Sequence, residues 1–108
     1  MAEVQNISEV NFEEEVLQAE LPVLVDFTAA SCAPCKNQDL LVAELAVNEW
    51  AGKLKVVKLD TEKNPNTAVR CRVLGLPTLL LYKGGKEVVR MTGFNPKKKL
   101  LDKIQPYI

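Results

Sequence analysis

A chain of 108 residues is sized for one hydrophobic core, so a single domain over residues 1–108 is expected. Its 47% apolar and 26% charged residues are ordinary for a folded globular protein and leave no room for a long disordered tail. Fourteen basic and fourteen acidic residues cancel, which removes the electrostatic basis for binding nucleic acid or an anionic membrane, and neither partner is expected. The opening "MAEVQNISEV" has no apolar segment of signal-peptide length. The longest apolar run, near "LPVLVDF", is too short to cross a bilayer. The expected setting is therefore the cytoplasm.

In chain order, "VQNI" reads as an edge strand. Within "SEVNFEEEVLQAE", residues Phe12, Val16 and Leu17 recur at helical spacing, with Ser8 or Asn11 as the cap. "PVLVDFT" is nearly continuous and β-branched, as in a buried central strand. "PCKNQDLLVAELAVNEW" predicts a long helix with Leu41, Val42 and Leu45 on one face, stopping at Gly52. "LKVVKLD" is a second buried strand. Asn64 and Pro65 then open a short helix through Cys71. "PTLLLY" and "KEVVRMT" flank Lys83-Gly84-Gly85 and predict a β-hairpin. Asn95 and Pro96 start a last helix through "KKKLLDKI", where Lys97-Lys98-Lys99 reads as a solvated face. The order β-α-β-α-β-α-β-β-α implies an α/β fold, a mixed central sheet with helices on both faces.

Chemistry concentrates in "SCAPC". Cys32 and Cys35 fall between the end of a buried strand and the start of a long helix, where unpaired N–H groups and the peptide dipoles favour negative charge. A thiol placed there has its thiolate stabilised, and the thiolate is the nucleophile of disulfide exchange. Cys35 lies about one turn along, within reach of a mixed disulfide at Cys32, and Pro34 is tolerated in a first turn. A zinc site needs about four ligands, yet the chain has no histidine and only Cys71 beyond the pair, so no metal is expected. Two inert, buried cysteines remain the other alternative. Asp26, inside the apolar "VLVDF", is either buried, which is costly and should raise its pKa, or an ordinary hydrogen-bonded Asp at the strand's end. Lys58 alternates with apolar neighbours and on its own reads as a solvent-facing strand residue.

These stretches resemble the thioredoxin family over essentially the whole chain: "VLVDF" into Cys-x-Pro-Cys and Lys36, then "KLKVVKLD", "NP", "GLPTLLLYKGG" and Gly93. The resemblance implies the thioredoxin fold, a five-stranded sheet flanked by four helices, and a Cys32–Cys35 redox disulfide. It makes Cys32 the attacking cysteine, Cys35 the resolving one, Asp26 the carboxyl that moves a proton to and from Cys35, and Lys58 its neighbour. It makes Pro77 a cis-proline facing the substrate backbone. Gly75, Leu76, Thr92 and Gly93, with Ser31, Ala33 and Pro34, take the docking surface. It implies protein disulfides as substrates, an electron donor of the thioredoxin-reductase type, a monomer, and no bound cofactor, since two sulfurs carry the electrons.

The departures cluster at this site. Ser31 and Thr28 stand where the family carries tryptophans, Ala33 where it carries glycine, and Leu40 where it carries a helix-kinking proline. Ser31 should weaken or re-target partner binding, its hydroxyl either solvated or turned to a thiolate. Thr28 loosens the site unless neighbours fill the space. Ala33 favours helix, and Leu40 straightens it. With no imidazole between the cysteines, a reducing couple is expected, nearer roughly −270 mV than the roughly −120 mV of a strong oxidant. Trp50, the single tryptophan, reads as packing, so the redox-linked fluorescence of the family's aromatics should be absent. Cys71 reads as a partly buried helix residue or as a regulatory thiol. The rival function is a binding module of this fold with restricted partners and little general reductase activity.

Overall fold

The structure is a computed structural model that describes residues 4–108; Met1–Glu3, in the polar opening segment, lie outside the described residues. Five strands, β1 (Gln5–Ile7), β2 (Val23–Thr28), β3 (Lys55–Asp60), β4 (Thr78–Lys83) and β5 (Lys86–Thr92), form one mixed sheet in the order β1-β3-β2-β4-β5. β1 and β2 both run parallel to β3, β4 is antiparallel to β2, and β5 closes the hairpin with β4. The most apolar strand, β2, is buried at every residue and holds the centre. The expected edge strand is there, trimmed by its first residue.

Helices α1 (Ala33–Val47), α2 (Pro65–Arg70) and α3 (Lys97–Ile104) flank the sheet, together with a wide π turn at Glu13–Leu17; a short 3-10 turn, Gln105–Tyr107, follows α3. Strand alternation decides which face each serves. Leu24, Val56, Leu79 and Leu81 pack against α1 and α3 through Val42, Leu45, Leu100 and Ile104. Val25, Phe27, Val57 and Leu80 pack on the other face with Val16 of the π turn. Trp50 is buried in the first cluster, as its packing role required.

Two helices are shorter than expected, for the same reason. The backbone of residues 8–10 is taken up by side-chain bonds: Asn11 Oδ1 accepts the Ser8 N–H at 2.8 Å, the distant Asn64 Oδ1 accepts the Glu9 N–H at 3.0 Å, and the Ser8 hydroxyl accepts the Val10 N–H at 3.3 Å. Neither Ser8 nor Asn11 caps the helix, which starts only at Glu13 and closes with a Gln18 N–H bond to the Glu13 carbonyl at 3.0 Å. Likewise α1 ends at Val47, three residues early, because Asn48 donates its side-chain amide to the Glu44 carbonyl at 2.9 Å and leaves helical φ/ψ. Asn64 flanks α2 but forms no side-chain cap there.

The hairpin turn requires glycine. Gly84 and Gly85 have φ of 60° and 79°, as a tight two-residue turn demands. Gly85 also faces the π turn: a Cβ there would lie 2.9 Å from the Leu17 carbonyl oxygen.

Candidate active site

β2 ends at Thr28, and the chain re-enters the sheet face as α1 with Cys32 as its first flanking residue. Cys32 is half-buried and extended, with φ −95° and ψ 106°. Its sulfur accepts the Cys35 N–H at 3.2 Å, so an otherwise unpaired helix-start donor points at this sulfur. The two cysteines form a disulfide with Cα atoms 5.3 Å apart, and Cys35 is fully buried. The helix begins at Ala33 with Pro34 in its first turn, as the sequence predicts.

Asp26 lies on the strand face that α1 covers, since it alternates with Leu24, which packs there. It is 1% exposed, and Lys58 sits beside it across the parallel ladder. Burial pushes the Asp26 carboxyl far above the usual carboxylate range, to about 9; Asp39 adds to the rise by hydrogen bonding and by charge, and Lys58 opposes it. Lys58 is therefore a neighbour of the buried carboxyl, half-buried on the wall of a surface cavity.

Pro77 precedes β4, whose start lies beside the end of β2, so its loop is brought to the same end of the sheet as Cys32. The Leu76–Pro77 bond is cis. The Pro77 carbonyl accepts the Gly93 N–H at 2.7 Å, and the Gly75 carbonyl accepts the Thr78 hydroxyl at 2.6 Å. A Cβ on Gly75 would lie 3.7 Å from Thr92 Cγ2. Gly75, Leu76, Pro77, Thr92 and Gly93 thus form one patch. Leu74 beside it is 98% exposed.

Gln38 holds this patch to α1. It is fully buried, and its side chain donates to the Asn95 carbonyl at 3.2 Å and accepts the Asn95 N–H at 2.8 Å. Gln38→Ala strands both backbone groups and should lower stability by about 2 kcal/mol in a urea titration.

The substituted positions are occupied differently from expectation. The Ser31 hydroxyl, exposed at the surface, donates to Glu62 Oε2 at 3.0 Å and is not turned to the sulfur. The Thr28 side chain is buried and donates to Asp39 Oδ2 at 2.9 Å. Leu40 is exposed, and α1 passes it without interruption. Cys71 caps the end of α2, half-buried, and its sulfur accepts the Tyr82 hydroxyl at 3.5 Å on the opposite sheet face from Cys35. Asp39 and Gln38 are the residues that sequence reasoning passed over. The signal was available: both lie one turn after Cys35, on the stripe continued by Val42 and Leu45.

A disulfide between a half-buried sulfur at a helix start and a buried sulfur behind it is the redox-active pair of a thiol–disulfide oxidoreductase. Comparison with known sequences agrees. The thioredoxin family model matches residues 3–106. A thioredoxin of Synechocystis sp. is 42% identical over 108 residues, covering 100% of both chains. Thioredoxin C-2 of Corynebacterium nephridii is 44% identical over 99 residues, 92% of this chain and 91% of its own. The M-type chloroplastic thioredoxin of Pisum sativum is 41% identical over 106 residues, 98% of this chain and 61% of its own. The chain belongs to the thioredoxin family.

Proposed function

We propose that this chain, acting as one domain, reduces protein disulfides by dithiol exchange. The observation that carries the reading is the Cys32 sulfur at the start of α1, facing the Cys35 N–H, with Cys35 buried behind it. The same amide would hold a thiolate formed at Cys32. That thiolate attacks a substrate disulfide, one substrate sulfur leaves as a thiolate, and a Cys32–substrate bond forms. Cys35, its proton taken through Asp26 with Lys58 alongside, then attacks Cys32 and releases the second substrate sulfur. Pro77, Gly75, Leu76, Thr92 and Gly93 present the docking patch, with Ser31, Ala33 and Pro34 opposite. A reductase of the thioredoxin-reductase type returns the electrons, the chain works as a monomer in the cytoplasm, and Cys71 is a regulatory thiol apart from the main reaction. Among the described residues no helix is long and apolar enough to cross a membrane.

A restricted range of partners has its own support. The Ser31–Glu62 bond places a carboxylate where the family presents a broad apolar ring. The test is insulin reduction with dithiothreitol as electron source, which needs no physiological reductase. Turnover well above the dithiothreitol background supports the general reductase. No turnover from a disulfide that still forms and reduces reversibly sinks it in favour of the binding module.

A further inference from the structure

α1 carries Asp39 one turn beyond Cys35, at the border of its buried stripe, and the bond to Thr28 holds it against the strand that carries Asp26. Asp26 Oδ1 and Asp39 Oδ1 are both buried, and among the described residues no donor group reaches either. Two buried acceptors with no donor are costly apart, whereas one proton held between the carboxyls satisfies both. Asp39 is fixed in place by the Thr28 hydroxyl on its other oxygen. It also lines a cavity of about 530 Å³ whose wall includes the exposed Ala30, Lys36 and Lys63.

We propose that Asp39 is the second half of a carboxyl pair with Asp26: the two share one proton, and Asp39 passes it between the buried strand and the cavity while Cys35 resolves the mixed disulfide. The purpose rests on the oxidoreductase reading; the shared proton belongs to the resting molecule. In the resolving step the Cys35–Cys32 sulfur bond forms and the Cys32–substrate sulfur bond breaks. The electron pair leaves on the substrate sulfur. The Cys35 proton enters the carboxyl pair, which at that moment holds one proton and one negative charge, and leaves through Asp39 to water in the cavity. A lone protonated Asp26 could not accept it. Asp39 is a positioning residue in this scheme, acting on the sulfurs through Asp26.

The charged groups around the pair are Lys58 and Asp60 from β3, Lys36 and, when reduced, Cys35 from α1, and Lys63 from the loop after β3. The neighbouring residues of β4 on this face, Leu79 and Leu81, are apolar. Lys58 offsets the single negative charge that the pair retains.

The experiment is a pH titration of the oxidised full chain with carbon-13 in its carboxyl groups, followed by NMR. The expected result is two steps more than about one pH unit apart, each seen at both Asp26 and Asp39. In Asp39→Asn, Asp26 should titrate in one step, at least about one pH unit below its upper step in the wild type. Asp39→Glu should restore the two-step curve. An Asp39 carbon that titrates alone in the ordinary carboxylate range, with no inflection at Asp26, overturns the pair, and the wild-type curve decides this even if a variant fails to fold. Resolution of a preformed mixed disulfide at pH 7 should slow about tenfold in Asp39→Asn. Coupled titration with an unchanged resolution rate overturns the proton-passing role. Coupled titration in a protein that fails the insulin assay leaves the pair standing while removing the reductase.

Discussion

Replacing Cys35 by serine should stop turnover and leave the protein captured on its substrate. Cys32 keeps its place at the start of α1 and can still attack, because the donor it faces is the backbone N–H of residue 35, which serine retains. What disappears is the sulfur that completes the exchange. A resolving thiol held on the same helical turn has an effective concentration far above any thiol in solution, so insulin reduction should fall roughly a hundredfold or more. A covalent adduct on Cys32 should appear by mass spectrometry under non-reducing conditions. Loss of turnover with no adduct would mean that Cys32 is not the attacking sulfur. The serine hydroxyl is close in volume to the thiol, so the fully buried site should stay packed.

Asp26→Asn should make the protein more stable at neutral pH and flatten its pH dependence. The carboxyl is raised from 3.8 to about 9 in the folded chain, chiefly by burial. Below the unfolded value both states hold the proton and the raised group costs nothing. Above it the unfolded chain loses its proton while the folded chain retains it, so stability falls as pH rises from about 4 toward 9. Roughly three pH units separate the unfolded value from neutrality, at about 1.36 kcal/mol each, which puts the loss at pH 7 on the order of 4 kcal/mol. Asparagine cannot ionise, and its amide can donate to Asp39. The expected gain at pH 7 is about 2–4 kcal/mol by guanidinium unfolding, shrinking to near zero below pH 4. The gain should come with slower resolution of mixed disulfides, since asparagine cannot take part in the proposed proton transfer. A variant no more stable than the wild type at pH 7 would show that the buried carboxyl has no raised pKa.

The fold was legible because its strands are apolar runs bounded by turn residues, and because strand-helix alternation admits few arrangements. Asn11 and Asn48 were harder to read. Each spends its side chain on nearby backbone groups, and periodicity does not register that competition. Cys32, Cys35 and Pro34 could be placed from local order alone, since a strand end meeting a helix start fixes their surroundings. Lys58 could not, because its role depends on which strand lies beside β3, a long-range fact. The Thr28–Asp39 pairing could not be read for the same reason: eleven residues separate the two in sequence, and only the packing of α1 on β2 joins them. Thr28 was read as an aromatic lost; in the fold it is the partner of a carboxylate.

The hairpin turn sets unequal terms for two adjacent residues of one type. Gly84 must satisfy its own backbone angle, with open space where a side chain would go. Asparagine, which tolerates that region, could replace it. Gly85 must meet the angle and leave room for the Leu17 carbonyl as well, and no other residue does both. Mutational drift should therefore find one neighbour permissive and the other closed. The same contact ties the hairpin tip to the N-terminal turn, so an insertion that shifted the tip would be felt some seventy residues earlier in the chain, at Leu17.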